Sequence, residues 1–338
     1  MRRRPFVIQQ SFPQPRPTTN PYVIMLAEAI RAQPGVELRY FSWRNALLRR
    51  YDVFHVHWPE ILVTGRTPLR ALVRQGLSWL LLVKLYLFRI PLVRTMHNLE
   101  LPDGITRRER SLLHCFDRLT TLRITLNPQT SLPDDANAIT IVHGHYRDWF
   151  REQPRQERVD GRVAYFGLIR RYKNVQALIR AFRGLPGDLS LQVGGRPSTP
   201  ELAAEVQELS HDDDRIDLKL EFLTDEQLVG IATAAELVVL PYREMHNSGG
   251  TLAALSLDRP VLIPDNEVNR ALSEEVGEKW VHRYSGALTT ETLERTLQEL
   301  RTDPPCGRPD LSAREWTTVG EEHLEAYRHA RRLRGLPA

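Results

Sequence analysis

Cysteine is almost absent from the 338-residue chain, which contains only Cys115 and Cys306. The two lie far apart and form no metal-ligand pattern, so neither a disulfide framework nor a cysteine zinc site is predicted. We expect reduced thiols in a cytosolic setting. The acidic triplet at 212–214 is interpreted as an exposed turn, and no Asp-x-Asp pair stands near the loops discussed below. We therefore predict no metal site and no bound cofactor.

A compact basic tract, a signal peptide and an uninterrupted apolar span are also missing. The net charge of +4 comes mostly from arginines dispersed among acidic residues, so nucleic-acid binding is not predicted. The basic N-terminus has no apolar core followed by a cleavage site. The most apolar stretch, 69–93, leaves no clean run of the roughly 20 residues that a bilayer crossing needs. The cations that interrupt it are Arg70, Arg74, Lys84 and Arg89.

The stretch 69–93 has two interpretations. It is either a core helix with basic residues on its exposed side, or a helix that lies on the membrane with its cations over anionic headgroups. Trp79, Tyr86 and Phe88 accompany the cations, a combination that is typical of interfacial helices. We favour the second interpretation and expect a cytoplasmic protein that is peripheral on the inner face of the cell membrane.

The order of strand-like and helix-like segments predicts the fold class. A chain of this length favours two domains. Both halves alternate short apolar runs with helical patterns, as parallel sheets covered by helices do. We predict an α/β protein with two Rossmann-like, doubly wound domains that face a cleft. The predicted bounds are 1–150 and 151–315, with a polar linker at 146–162 and a C-terminal helix at 316–338.

Residues that follow the predicted strands of the second half suit a diphosphate. Ligands of open α/β sheets bind at the carboxyl ends of the strands, where arginines, a lysine and glycine turns meet here. The segment "HNSGGT" (246–251) precedes a predicted helix, whose first N–H groups favour a phosphate. The same turn is also an ordinary helix cap. The candidate ligand-binding residues are Gly167, Arg170, Arg171, Lys173, Gly194, Gly195, Arg243, Glu244, Asn247, Ser248, Gly249, Gly250 and Thr251.

The loops of the first half carry carboxylates and histidines instead of concentrated positive charge. Such loops suit a hydroxyl substrate that must lose a proton, and a general base has to lie within hydrogen-bond reach of that proton. Each candidate is alternatively a structural hydrogen-bond partner at a strand end. We favour Glu60 as the base and place His97 second. The candidate bases are Glu60, His97, Glu100 and Asp103.

Several segments resemble nucleotide-sugar glycosyltransferases of the two-domain GT-B type. The segment "VAYFGLIRRYKNVQALIRAF" (163–182) resembles the strand, phosphate loop and helix that open the donor domain, and "DRPVLIP" (258–264) resembles the strand after the donor helix. The segments "HVHWPE", "TMHN", "VHGHYRDWF" and "YREMHNSGGTLAALS" are similar to bacterial exopolysaccharide mannosyltransferases of the xanthan type. The resemblance implies that 1–150 binds the acceptor, that 151–315 binds the nucleotide-sugar donor, and that 316–338 crosses back to the first domain.

The resemblance also implies a reaction. It is metal-independent hexosyl transfer from GDP-mannose, with inversion, to a hydroxyl of a glycan or glycolipid acceptor. Retaining relatives have two glutamates near the donor loop; here Glu244 can stand for the first, but Ala253 occupies the place of the second. The alternatives are a retaining α-glycosyltransferase that uses a UDP- or GDP-sugar, and a non-catalytic nucleotide- or glycan-binding protein.

Overall fold

A computed structural model describes residues 4–97, 104–133 and 136–337. The chain divides into two compact units, one formed by residues 1–144 with 313–338 and the other by residues 145–312. Each unit contains a six-stranded parallel sheet with flanking helices. The prediction of an α/β protein with two doubly wound domains is therefore confirmed.

The first unit is built on six parallel strands. These are β1 (Phe6–Gln10), β2 (Val36–Arg39), β3 (Val53–Val56), β4 (Leu92–Met96), β5 (Thr120–Thr125) and β6 (Ala138–Thr140). Their order in the sheet is β2-β1-β3-β4-β5-β6, so the direction of winding reverses between β1 and β3. The helices along this part of the chain are α1 (Pro21–Arg31), α2 (Trp43–Leu48), α3 (Glu60–Val63), α4 (Pro68–Leu87) and α5 (Arg107–Leu119).

The second unit repeats this plan. Its strands are β7 (Arg162–Phe166), β8 (Ser190–Gly194), β9 (Ile216–Lys219), β10 (Leu237–Val239), β11 (Val261–Pro264) and β12 (Val281–Tyr284). Their order is β12-β11-β10-β7-β8-β9, so the winding reverses between β7 and β10. The helices are α6 (Val175–Arg183), α7 (Pro200–Ser210), α8 (Asp225–Ala234), α9 (Gly249–Ser256), α10 (Glu267–Val276) and α11 (Thr290–Thr302). The central strands β7 and β10 are buried except for Arg162 at the start of β7, which explains their continuous apolar runs.

The apolar stretch 69–93 is not a single helix. Thr67 caps α4 by accepting the N–H of Arg70, and the helix ends at Leu87. Arg89 then takes a left-handed backbone conformation, with φ at +53°, which a continuing helix does not allow. The last residues of the stretch instead begin β4, a buried strand of the sheet.

The segment 145–150 belongs to the second unit, six residues earlier than the expected domain boundary after residue 150. The N–H of Tyr146 donates to Ser256 Oγ over 2.8 Å, and the side chains of Tyr146 and Phe150 are buried. The physical reason is that these two aromatic side chains pack into the second unit instead of lying in a solvated linker.

The C-terminal helix α12 (Trp316–Leu333) packs on α1 in the first unit. Gly320 marks the closest approach, because a Cβ atom added there would lie 2.6 Å from the carbonyl oxygen of Ala29. Tyr327 is fully buried and Trp316 nearly so. The helix therefore contributes large side chains to the core of the first unit, although its sequence is rich in charge.

Gly320→Ala should destabilise the protein, because the added methyl group overlaps the carbonyl oxygen of Ala29. We expect the free energy of unfolding to fall by about 1–3 kcal/mol, the usual effect of overpacking. Gly76→Ala in α4 is the matched control, because nothing lies within 4 Å of a Cβ added there. That variant should gain stability, up to about 1 kcal/mol. Urea unfolding measures both, and equal stabilities would contradict the close packing of α12 on α1.

Candidate functional site

Three loops of the second unit meet at the carboxyl ends of its central strands. Strand β7 lies between β10 and β8, so the loops that follow these strands are neighbours. The N–H of Gly167 donates to the carbonyl of Gly194 over 3.0 Å, and the N–H of Arg243 donates to the carbonyl of Tyr172 over 2.8 Å. The fold thus brings three separate sequence segments to one edge of the sheet, at the point where the strand order switches.

Two of the candidate glycines are explained by protein packing. Gly195 has φ at +148°, and a Cβ atom added to it would lie 1.8 Å from the carbonyl oxygen of Gly167. A Cβ atom on Gly194 would lie 2.5 Å from Cδ1 of Ile231 in α8. Both glycines let the loops pack against each other and against α8, so we leave them out of the set of direct ligand contacts.

Helix α9 begins at this edge with unused backbone donors. Ser248 is its N-cap and accepts the N–H of Thr251 over 3.1 Å. The N–H groups of Gly249 and Gly250 have no acceptor within the described part of the chain. These two donors and the positive end of the helix dipole favour an anion. The turn is therefore a helix cap and, at the same time, suited to bind a phosphate.

Lys173 is a partly buried cation without a carboxylate partner among the described residues. Its Nζ atom lies 4.9 Å from the centroid of the Tyr242 ring, and a Cβ atom added to Gly167 would lie 3.6 Å from it. Burial, together with the neighbouring charge of Arg170, lowers the pKa of Lys173 to about 8. An ammonium group in such surroundings is stabilised when an anion binds beside it.

Arg171 is already engaged elsewhere. Its guanidinium group forms a bidentate pair with the carboxylate of Glu205, at 2.7 and 3.2 Å, on the exposed surface. We therefore leave it out of the ligand-binding set. Arg170, Arg243 and Glu244 are exposed at the three loops, Asn247 is half-buried, and Thr251 is buried in the first turn of α9.

Two tyrosines of this edge were not among the predicted site residues. The hydroxyl of Tyr165, at the buried end of β7, donates to the carbonyl of Leu168 over 3.0 Å. Tyr242 follows β10, is buried, and presents its ring to Lys173 and Tyr172. An aromatic residue near the carboxyl end of a buried strand was the available signal, because such positions lie at the ligand-binding edge of an open sheet.

In the first unit, His97 follows β4 and is held by three side chains. Its Nε2 lies 3.1 Å from Nδ1 of His57, which follows β3. The indole ring of Trp58 stacks on it at 4.2 Å between centroids, and Tyr22 of α1 meets it edge-on at 5.3 Å. Burial and the neighbouring His143 lower the pKa of His97 to about 3. His97 is therefore a neutral imidazole near pH 7, and its Nδ1 has no hydrogen-bond partner in the described residues.

A second buried histidine, His55, lies behind His57. Its Nε2 lies 2.8 Å from Thr95 Oγ1, and its Nδ1 lies 2.8 Å from the hydroxyl of Tyr327 in α12. Burial holds the pKa of both His55 and His57 well below the ordinary histidine range. Neither histidine was a predicted site residue, although their spacing along β3 places both on one face of the strand.

Glu60, the favoured base, lies in different surroundings from His97. It begins α3, and burial raises its pKa, partly offset by its own backbone hydrogen bond and by the charge of Arg94. Arg94 is bonded to Asp117 of α5 at 3.1 Å. The next residue of β4, Thr95, points to the opposite face of the sheet and is bonded within the histidine cluster. Glu60 and His97 thus have different neighbours: the charge of Arg94 acts on Glu60, whereas His57, Trp58 and Tyr22 contact His97. Glu100 and Asp103 lie outside the described residues.

The described residues, 4–97, 104–133 and 136–337, contain neither a metal-binding cluster nor a membrane-spanning helix. No group of three His, Cys, Asp or Glu side chains in these ranges is placed to hold a metal ion. No helix in the same ranges has the length and apolar character to cross a membrane.

The two parallel six-stranded sheets with flanking helices match the fold of the GT-B class of glycosyltransferases. The chain is 42% identical over 318 residues to the GDP-mannose:glycolipid 4-β-D-mannosyltransferase of Xanthomonas campestris pv. campestris. The aligned residues cover 94% of this chain and 90% of the relative. A second sequence of that name is also 42% identical over 318 residues. The chain belongs to this mannosyltransferase family, so the family resemblance and the assignment as a hexosyltransferase are confirmed. No family model matches the chain.

Solved structures share the fold at low sequence identity. A glycosyltransferase from Rickettsia africae has a TM-score of 0.64 at 12% identity, over 96% of this chain and 98% of that chain. The Anabaena protein HepE in complex with UDP-glucose has a TM-score of 0.62 at 11% identity, over 97% of each chain. Sucrose-phosphate synthase from Thermosynechococcus elongatus has a TM-score of 0.61 at 15% identity, over 95% of this chain and 94% of that chain. These likenesses concern the fold alone.

Proposed function

We propose that this enzyme transfers mannose from GDP-mannose to a hydroxyl of a lipid-linked glycan in exopolysaccharide synthesis, with inversion and without a metal ion. The name of the 42% identical relative gives this donor, a glycolipid acceptor and a β-linked product. GDP-mannose is an α-linked donor, so a β-linked product requires inversion. The observation that carries the proposal is the ammonium group of Lys173, which lacks a carboxylate partner at the strand-end edge of the second unit.

The donor diphosphate would bind at that edge. Lys173 supplies a compact positive charge, and Gly249 and Gly250 supply two backbone N–H donors at the start of α9. Arg170 is exposed beside Lys173 and is free to approach a second phosphate oxygen. These groups would stabilise the charge that develops on the departing diphosphate, which is the electrostatic part of the catalysis.

His97 would act as the general base. In the proposed step an acceptor oxygen attacks the anomeric carbon, the bond from that carbon to the diphosphate oxygen breaks, and the hydroxyl proton passes to Nδ1 of His97. A pKa of about 3 leaves His97 neutral near pH 7 with an electron pair available, but it also makes the imidazole a weak base, so the proton transfer depends on stabilisation of the imidazolium that forms. Glu60, whose pKa is raised by burial, is the second candidate, and the variants below compare the two.

The retaining alternative has less support. Retaining relatives were expected to place a glutamate where this chain has Ala253, and Ala253 is buried within α9. Because alanine has no carboxylate, α9 offers none at this position to the hydroxyls of a donor. This favours a single displacement with a base over retention.

We also propose that the enzyme rests on the inner face of the cell membrane through α4. One side of α4 packs on the core through Leu81, Leu82 and Leu85. The other side is apolar as well, and an apolar helix face without protein cover is a typical interaction surface. The exposed residues of this side are Leu69, Leu72, Val73, Trp79, Leu80, Tyr86 and Leu87, with exposures between 48% for Leu80 and 71% for Leu69.

Three of the four cations of the stretch 69–93 are already bonded to backbone carbonyls of the protein and are therefore less available to lipid headgroups. Lys84 donates to two backbone carbonyls at the end of α2, at 2.7 and 2.8 Å, and Arg74 donates to two carbonyls at α3. Arg89 donates to the carbonyl of Arg334. The proposed membrane contact therefore depends on apolar insertion, with headgroup attraction as a smaller contribution from residues such as Arg70.

The affinity for GDP should fall as the pH rises above 8. Free Lys173 has a pKa of about 8, and a bound diphosphate raises that pKa, so binding takes up a proton above pH 8. Lys173→Met should weaken binding about 10- to 100-fold at pH 7.5, the value of one to two charge-assisted hydrogen bonds, and should flatten the pH dependence up to pH 9. Calorimetric titration of GDP measures both effects.

Arg171→Met is the matched control for Lys173→Met, because Arg171 is paired with Glu205 on the surface. We expect this variant to keep the affinity and the pH dependence of the native protein. Native affinity in Lys173→Met would contradict the proposed diphosphate site.

His97→Gln should lower kcat for mannose transfer by about 100-fold or more, because it removes the general base. The Kd for GDP should change little, since the diphosphate is bound by the other unit. Glu60→Gln, measured in the same assay, should lose much less activity than His97→Gln. The reverse order of the two variants would assign the base to Glu60.

Trp79→Ser combined with Leu80→Ser should reduce binding to vesicles by at least about tenfold. The reason is that transfer of each large apolar side chain from water to the membrane is favourable by roughly 1.5–3 kcal/mol, and the serines lose this free energy. Flotation with phosphatidylethanolamine–phosphatidylglycerol vesicles measures the bound fraction. Leu333→Ser, at an exposed leucine of α12, is the control and should float like the native protein. Native flotation of the double variant, or a native protein that forms dimers and ignores vesicles, would contradict the membrane proposal.

A further inference from the structure

We propose that His57 is a positioning residue that fixes the protonation of His97, so that Nδ1 of His97 is the atom that accepts the acceptor proton. This inference rests on the proposed role of His97 as the base. The observation behind it is the 3.1 Å distance between Nδ1 of His57 and Nε2 of His97, within a cluster of rings.

A distance of 3.1 Å between two ring nitrogens means that one of them carries a hydrogen and the other accepts it. If Nδ1 of His57 carried the hydrogen, neutral His97 would hold its own hydrogen on Nδ1 and could not take a proton there. If Nε2 of His97 carries it, Nδ1 of His97 keeps a free electron pair. Only the second arrangement makes His97 a base toward a substrate.

The protonated state of His97 leads to the same arrangement. After it takes the proton of the acceptor hydroxyl, His97 carries hydrogens on both ring nitrogens. Its Nε2–H then has to find an acceptor, and the unprotonated Nδ1 of His57 lies in place to supply it. The hydrogen bond becomes charge-assisted and therefore stronger at the moment when positive charge develops on His97.

His57 is suited to this task because it is buried and stays neutral. It is 2% exposed, and burial keeps its pKa well below the ordinary range, with the nearby histidines acting in the same direction. The backbone N–H of His57 donates to Ser11 Oγ over 3.1 Å, and its ring packs edge-on against Phe12 at 5.4 Å and lies tilted against His55 at 4.2 Å between centroids. The ring contacts hold the imidazole with Nδ1 facing His97.

The proton count of the step remains simple. The acceptor O–H bond breaks, the new bond from that oxygen to the anomeric carbon forms, and the bond to the diphosphate breaks. The proton moves to Nδ1 of His97 and stays on that ring until solvent removes it. His57 neither gains nor loses a proton: it keeps its hydrogen on Nε2, a buried atom without a hydrogen-bond partner among the described residues, and accepts one hydrogen bond at Nδ1 throughout.

Two substitutions at His57 separate positioning from packing. In His57→Asn the amide oxygen falls near the position of Nδ1 and keeps an acceptor for His97, whereas His57→Leu keeps bulk and has no acceptor. His57→Leu should lower kcat about 10- to 100-fold, as the loss of a partner that orients a functional histidine does. The KM for GDP-mannose should stay near the native value. His57→Asn should restore most of kcat, a rescue that a purely structural role does not predict.

Nitrogen NMR of the native protein gives a second measurement that does not depend on turnover. Long-range proton–nitrogen spectra distinguish the two ring nitrogens, and the His97 signals are those that vanish in His97→Gln. We expect a hydrogen on Nε2 of His97 and none on Nδ1. A hydrogen on Nδ1 would overturn the inference, even if His57→Leu failed to fold.

The outcomes separate this inference from the proposed function. Native turnover in His97→Gln would contradict the assignment of His97 as the base, and the positioning role of His57 would be overturned as well. A large loss in His97→Gln with native turnover in His57→Leu would overturn only the positioning role. Equal losses in His57→Leu and His57→Asn would also overturn it, because the amide oxygen would then be no better than a methyl group.

Discussion

The site of the second unit depends on one electrostatic constraint, a partly buried ammonium group without a carboxylate partner in the part of the chain that the structure describes. Lys173 lies at the edge where the strand order switches, close to Gly167 and to the ring of Tyr242. The fold tolerates this charge by lowering its pKa to about 8. An anion that binds beside Lys173 and accepts hydrogen bonds from the N–H groups of Gly249 and Gly250 would offset the cost of burying this charge, which is why we propose a diphosphate there.

The surrounding loops maintain that constraint. Gly195 lies so close to Gly167 that no side chain fits, and the N–H of Arg243 is bonded to the carbonyl of Tyr172. Arg171, which stands two residues before Lys173, is drawn away by Glu205. The first unit has the opposite character. Its strand ends carry neutral, buried histidines, which suit the removal of a proton from an acceptor more than the binding of an anion.

The sequence was sufficient for the fold class and for the segments that form the strand-end edge, because both follow from periodicity and from the order of the strands. It could not distinguish Arg171 from Lys173, since the difference is made by Glu205, which is distant in sequence and lies in α7. It also could not order the candidate bases. The ring contacts of His97 come from α1 and from the end of β3, and only the folded chain brings them together.

In α12 and α4, too, the sequence did not reveal which side chains are buried. The sequence of α12 is dominated by charge, yet Tyr327 is fully buried and bonded to His55. The apolar run of α4 was also compatible with a core helix, and the exposures of its outer side chains, on which the membrane proposal rests, could not be read from the sequence. Burial is a property of neighbours, so periodicity alone does not decide it.

The most direct test of the central claim is the anomeric configuration of the product. Purified enzyme would be given carbon-13-labelled GDP-mannose and a lipid-linked oligosaccharide acceptor, and the one-bond carbon–hydrogen coupling of the new linkage would be read by NMR. A single displacement with a histidine base predicts a β-mannoside. An α-mannoside would contradict the account, because retention needs no dedicated base in the first unit.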